Sequence, residues 1–121
     1  MVDWQSFVRD WITAWGRKDV DAVLAHYAES ATFRSPKAEA IVGRARLEGK
    51  AALAEYWRAA VARIDTIRFE LDHAHWAADT RTLTIVYVAE LAGRRARACE
   101  VMRFDGEGLV VEGEAFYGGT P

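Results

Sequence analysis

The sequence lacks most of the features that assign a small protein to a special class. Its 121 residues include a single cysteine, Cys99, which excludes an intrachain disulfide and any metal site built from several cysteines. No apolar run approaches the roughly 20 residues of a transmembrane helix, and the first residues do not resemble a signal peptide. We therefore expect a cytoplasmic protein that does not contact a membrane. The 16 basic and 18 acidic residues give a net charge of −2, which supplies no basic surface for nucleic acid.

The composition that remains is typical of a folded domain. Hydrophobic residues make up 51% of the chain and charged residues 28%, and the length fits one domain over residues 1–121. A chain of this size buries roughly two thirds of its unfolded surface, so it can fold without a disulfide or a structural metal. No glycine-rich phosphate loop is present, and we expect no cofactor.

The N-terminal half has apolar residues at helical spacing. The first helical segment has Asp3 in position to cap its start and Gly16 to end it, and a further helix follows Gly49. A short strand between the later helices is stopped by Pro36. In chain order the pattern predicts helices over residues 3–15, 20–27 and 50–64, with a strand over 31–36 and a loop over 37–48 before the third helix.

From residue 64 onward the apolar period changes from 3.6 to 2, which predicts strands. Four runs follow at about 64–77, 81–92, 94–105 and 109–118, separated by short turns such as Ala92-Gly93. Helices followed by an antiparallel meander predict an α+β fold, in which the helices cover one face of a curved sheet.

The alternation assigns side chains to the two faces of this sheet. On the third run, Ala96 and Ala98 mark the uncharged side, which places Glu100 on the same, concave face. On the first run, the same alternation directs Phe69 and His73 toward that face. The opposite face carries a mixture of arginine, glutamate and valine, whose charges can pair across strands.

Three stretches, 19–36, 47–57 and 100–105, resemble the NTF2-like superfamily, which includes the SnoaL-like and ketosteroid-isomerase-like proteins. With the final strand, the resemblance covers essentially the whole chain. It implies a cone-shaped fold in which three N-terminal helices pack in the concavity of a curved, mainly antiparallel sheet. It also implies an apolar pocket at the mouth of the cone and, often, a homodimer formed through the convex face. The superfamily includes isomerases, cyclases, hydrolases, dehydratases and binding modules, so the fold alone selects no function.

The resemblance also suggests positions for catalytic groups. Ketosteroid isomerases use an aspartate base and hold the dienolate with a tyrosine and a protonated aspartate. The family's base position falls on Ser35, its tyrosine on Trp11 and its protonated acid on Glu100. Tyr27 and Trp57 fall where the family has supporting tyrosines. Because Ser35 stands where the family has its aspartate base, we do not expect this protein to catalyse the ketosteroid isomerase reaction.

Glu100 and His73 are the candidate catalytic residues. Burial in an apolar pocket would raise the pKa of Glu100 and make it a neutral acid or hydrogen-bond donor; the alternative is a carboxylate at the rim or one paired with Arg34. His73 could supply the missing base, or it could be a structural histidine held by hydrogen bonds. His73 and His75 lack a third ligand, so we expect no metal site.

Two functional hypotheses remain open. One is an enzyme that uses Glu100 and His73 for acid/base chemistry on a hydrophobic, ring-bearing small molecule; the other is a non-catalytic module that binds an apolar ligand. The predicted pocket lining consists of Trp11, Tyr27, Phe33, Ser35, Trp57, Phe69, Tyr87, Met102, Gly113 and Tyr117. We also expect a homodimer through the convex face, because Val86, Val88, Val101 and Phe116 would otherwise be exposed.

Overall fold

Four helices and six strands make up the computed structural model, which describes residues 2–121. Helices α1 and α4 pack on the concave face of one curved, unclosed sheet. The helices are α1 (Trp4–Gly16), α2 (Val20–Leu24), α3 (Pro36–Val42) and α4 (Lys50–Ala62). The strands are β1 (Tyr27–Arg34), β2 (Arg46–Glu48), β3 (Ile67–Ala77), β4 (Thr82–Leu91), β5 (Arg94–Phe104) and β6 (Val110–Tyr117). The predicted α+β cone is therefore confirmed.

The sheet has the strand order β2-β1-β6-β5-β4-β3. Its last four strands form an antiparallel meander, as predicted, and β1 joins β6 in parallel. Ala92 and Gly93 connect β4 to β5 with φ of 52° and 81°, the positive pair that a tight hairpin turn requires. This turn fixes the register in which Ile85 of β4 lies opposite Glu100 of β5.

The first two helices begin where the sequence predicts. The Asp3 carboxylate accepts a hydrogen bond from the backbone N–H of Ser6 at 3.1 Å, and Asp19 accepts one from Ala22 at 3.0 Å. The second helix ends at Leu24, however, and not at Tyr27. Tyr27 instead begins β1, because that part of the chain pairs with β6.

The expected loop over residues 37–48 is wrong, because this segment contains α3 and β2. Ser35 caps α3 by accepting the Lys37 backbone N–H at 3.1 Å, and Pro36 occupies the first helical position, where its fixed φ is favourable. The helix ends at Gly43, whose φ is 81°. Strand β2 then pairs with β1, with Leu47 opposite Phe33.

Strand β3 contains a β-bulge at Asp72, which has no counterpart in the register with β4. One extra residue reverses the alternation beyond it. Trp76 consequently faces the core, with its ring 5.7 Å from that of Phe104, whereas His73 faces outward with 49% of its side chain exposed. The expectation that His73 faces the concave side is therefore wrong.

The core lies between the concave face and the helices. It is rich in aromatic residues, and the largest of its almost fully buried side chains are those of Trp11, Tyr27, Tyr87 and Phe104. Within residues 2–121, no helix is both long and apolar enough to cross a bilayer.

Candidate active site

A cavity of about 60 Å³ lies between the concave face of the sheet, α4 and the start of α3. Its walls are aromatic. The Trp57 ring lies 5.5 Å from that of Trp15 and 5.4 Å from that of Phe33, and the Phe69 ring lies 4.6 Å from that of Tyr87. Edge-on and tilted arrangements are the favourable geometries for aromatic pairs, so the rings of the walls stabilise one another's positions.

The structure separates the predicted lining residues into two groups. The cavity is lined by Phe33, Ser35, Trp57, Phe69, Tyr87, Glu100 and Tyr117. The residues that do not line it, and lie instead in the buried interior, are Trp11, Tyr27, Met102 and Gly113. Gly113 allows close packing there, because a Cβ at this position would lie 2.9 Å from Cδ1 of Phe33.

Sequence reasoning missed several lining residues. These are Trp15, Lys37, Tyr56, Ala60, Val61, Ile64, Ile67 and Leu91. Most are apolar residues whose spacing predicts a helix or a strand but does not distinguish the wall of a cavity from the core. Lys37 fell in the segment expected to be a loop, although the Ser35-Pro36 pair before it is a usable helix-start signal.

Glu100 is the acidic residue that lines the cavity. It lies on β5 between Ile85 of β4 and Ala115 of β6, and only 7% of it is exposed. None of the ion pairs among residues 2–121 includes it, so the alternative pairing with Arg34 does not occur. Burial without a cation disfavours the carboxylate and raises the pKa of Glu100 to about 8. At neutral pH this side chain is therefore mostly a neutral carboxylic acid.

Trp11 is the residue that comes closest to being a hydrogen-bond partner of Glu100. Its indole N–H stabilises the carboxylate and so opposes part of the rise in the pKa of Glu100, although its geometry falls short of a hydrogen bond. The buried Tyr27 hydroxyl also has no hydrogen-bond partner within residues 2–121. The resemblance assigned Trp11 to the position of the tyrosine that holds the dienolate and Glu100 to that of the protonated acid. Here these two side chains are close enough to interact.

Tyrosine hydroxyls form the other polar part of the site. Burial raises the pKa of Tyr56, Tyr87 and Tyr117, and the Glu100 charge adds to each rise. These phenols therefore remain protonated donors. The hydroxyl of Tyr56 lies 3.4 Å from Oγ of Ser35, a buried pair at the edge of the cavity.

His73 lies outside this site. Its imidazole Nδ1 is 3.2 Å from a carboxylate oxygen of Asp72 on the outer side of the sheet. Asp72 also accepts a hydrogen bond from the Arg97 guanidinium at 2.9 Å, and the Arg97 and His73 contacts lower the pKa of this carboxyl. No group of three or more potential metal ligands is found in the described part of the chain.

The larger opening is on the convex face, where a groove of about 510 Å³ runs along β1, β5 and β6. Arginine and glutamate side chains border it, and Phe116 beside them is 47% exposed. None of the residues that border this groove is a buried titratable group. The inner cavity, although smaller, is therefore the candidate active site.

Comparisons with known proteins point to one family. A family model described as a SnoaL-like domain matches residues 8–113. A SnoaL-like protein of unknown function from Burkholderia thailandensis is 36% identical, covers 95% of this chain and 94% of its own, and superposes with a TM-score of 0.82. A comparison with curated proteins gave no match.

Two more distant structures share the fold. SalBIII, an epoxide hydrolase/cyclase-like enzyme with a role in pyran ring formation in the polyether salinomycin, is 24% identical over 98% of this chain and 95% of that one, with a TM-score of 0.75. A putative polyketide cyclase from Sinorhizobium meliloti is 17% identical over 92% of this chain and 94% of that one, with a TM-score of 0.73.

Proposed function

Because the chain belongs to the SnoaL-like family within the NTF2-like superfamily, we propose that it is an acid-catalytic enzyme acting on a hydrophobic, ring-bearing small molecule. Glu100 is the proton donor, and the aromatic cavity orients the substrate. The observation that carries this proposal is a neutral carboxylic acid, 7% exposed, that lines an apolar cavity and has no basic partner.

The chemistry follows from that protonation state. A neutral carboxyl can donate its proton to a substrate oxygen as negative charge develops there, and the low polarity of the surroundings strengthens the interaction. Tyr56 and Tyr117 supply further protonated donors in the same cavity. The electron pair of the breaking carbon–oxygen bond stays on that oxygen, which takes the Glu100 proton, while a hydroxyl oxygen of the substrate attacks the carbon. The proton that this hydroxyl loses returns to the Glu100 carboxylate through solvent at the mouth of the cavity, which restores the acid.

The lack of a candidate base in the cavity limits which reactions the site could catalyse. The resemblance to ketosteroid isomerases assigns the base position to Ser35, whose hydroxyl accepts the Lys37 N–H and lies beside Tyr56. With His73 on the outer face, neither candidate can remove a proton from carbon inside the cavity. Acid-assisted ring closure or epoxide opening is therefore favoured over a ketosteroid-type isomerisation, and the cyclase-like fold relatives support this preference.

The cavity volume limits how a substrate is bound. About 60 Å³ is less than half the volume of an engineered protein cavity of ~150 Å³ that binds benzene. We therefore expect the substrate ring to lie at the mouth, against Ala60, Val61 and Ile64, with the reacting oxygen extending inward to Glu100.

The test combines a titration with a reaction. NMR titration of the Glu100 carboxyl, assigned with Glu100→Gln, should give a pKa near 8 in the free protein. Turnover of an aryl hydroxy-epoxide that closes to a cyclic ether should fall by about 10²-fold or more in Glu100→Gln while binding is retained. A pKa at or below the ordinary 4.5 would refute the acid role. Binding without turnover would favour the non-catalytic module, the alternative that the missing base supports.

We also propose that two copies associate through the convex face. Phe116 is 47% exposed beside a groove that contains both arginine and glutamate side chains. A surface with both signs of charge can be complementary to itself across a twofold axis, as a symmetric dimer requires.

A further inference from the structure

Lys37 places a positive charge at the edge of the cavity. Its half-buried side chain is part of the lining, and Nζ lies 4.5 Å from the centroid of the Tyr117 ring, a cation–π contact. Its backbone N–H donates to Ser35 Oγ at 3.1 Å, and Ser35 is itself buried. The Ser35 hydrogen bond therefore positions the Lys37 backbone, and the Tyr117 ring positions its ammonium beside the cavity.

Within residues 2–121 this ammonium has no acidic partner. Lys50, by contrast, pairs with Glu29 at 3.9 Å, while Lys37 takes part in none of the ion pairs formed among residues 2–121. The acid that shares the cavity with it, Glu100, is buried and also without an ionic partner. The site thus combines an apolar interior with one unneutralised cation at its rim.

We propose that the site selects an amphipathic acid, whose apolar part packs at the mouth against Ala60, Val61 and Ile64 and whose carboxylate binds the Lys37 ammonium. The inference rests on the proposed function, because it takes the same cavity as the substrate site, and it adds the substrate class. Only one side of the ammonium contacts the Tyr117 ring, so its other N–H groups are free to donate hydrogen bonds. The strongest hydrogen bonds available to them are charge-assisted bonds to a carboxylate. Lys37 is then a specificity-determining residue, and a neutral Glu100 does not repel the bound anion.

Binding of a matched pair of compounds tests this directly. Trp15 and Trp57 line the cavity, so quenching of their fluorescence reports occupancy by 3-phenylpropionate or by the neutral 3-phenylpropionamide at pH 7. The acid should bind about tenfold more tightly than the amide to the unaltered chain. Lys37→Gln should remove that preference, and Lys37→Arg should restore it. Lys18→Gln, which deletes the same charge at a residue outside the cavity lining, should leave the preference intact.

The outcomes separate the two proposals. Equal affinity for acid and amide, or a preference that survives Lys37→Gln, would overturn the carboxylate inference and leave the acid-catalytic proposal standing. Failure of both compounds to bind would overturn the inference together with the cavity as a ligand site. An affinity for the acid that Lys18→Gln lowers as much as Lys37→Gln would also overturn it, since the effect would then come from net charge alone.

Discussion

Replacing Glu100 with glutamine should change the pH dependence of stability in a defined direction. The pKa of this carboxyl is about 8 in the folded protein and about 4.5 when solvated, as in the unfolded chain. Between these two values the folded state holds a proton that the unfolded state has lost, so stability falls as pH rises. The contribution of the protonated form is fully present below pH 4.5 and is lost by pH 8. Glutamine has the same shape and does not titrate, so the variant lacks this loss.

The size of the effect follows from the same two values. Each pH unit between them removes about 1.4 kcal/mol of unfolding free energy from the unaltered protein, or about 5 kcal/mol in total. Small domains have unfolding free energies of about 5–15 kcal/mol, so a loss of this size is readily measured. Relative to the unaltered chain, Glu100→Gln should gain several kcal/mol between pH 5 and pH 8, with no further gain at higher pH.

Urea denaturation at each pH from 4.5 to 9, followed by tryptophan fluorescence, provides the measurement. The control is Glu114→Gln, which removes a carboxyl of β6 that borders the outer groove and has no ion-pair partner within residues 2–121. Its curve should run parallel to that of the unaltered protein. If the Glu100→Gln curve also runs parallel, then Glu100 is ionised at neutral pH in the folded state, and the reasoning fails.

Two further predictions concern packing and assembly. Gly113→Ala should destabilise the fold by about 1–3 kcal/mol in urea, because the new Cβ would lie 2.9 Å from Phe33 in a ring cluster that cannot shift easily, whereas Gly119→Ala, with nothing within 4 Å, should have little effect. Equal effects of the two substitutions would contradict this account. Phe116→Glu should convert a dimer into a monomer in sedimentation experiments at about 10–50 µM, and a monomeric unaltered protein at that concentration would contradict the proposed dimer.

Side-chain direction could be predicted from sequence wherever the strands are regular. Along β4, β5 and β6 the two-residue alternation runs without a bulge through the positions of Tyr87, Glu100 and Tyr117, and all three line the cavity. On β3 the same reasoning failed at His73, because the bulge at Asp72 adds one residue that composition does not reveal. Because of this one extra residue, the candidate base His73 lies on the outer face of the sheet and not on the predicted concave face.

The cavity itself could not be predicted from residue types. The sequence predicts an apolar pocket lined by aromatic side chains, but these rings pack against one another and leave about 60 Å³. Volume depends on how closely α4 approaches the sheet, a distance that is not encoded in any local pattern. Lys37 was missed for a different reason. The sequence predicts a strand that ends at Pro36 and a loop after it, whereas Pro36 is the first residue of α3.

The position of Glu100 argues for a role beyond folding. A buried glutamine or methionine would fill a similar volume, whereas the carboxyl lowers the free energy of unfolding by about 5 kcal/mol between pH 4.5 and pH 8. An arginine in contact would favour the ionised form, yet Arg95, Arg97 and Arg103 of β5 form ion pairs with acidic residues on the exposed side of the sheet instead. Stability alone therefore favours almost any uncharged residue at this position. A carboxylic acid that is neutral near pH 7 differs from those residues in one useful property, which is that it can give up a proton to a bound molecule.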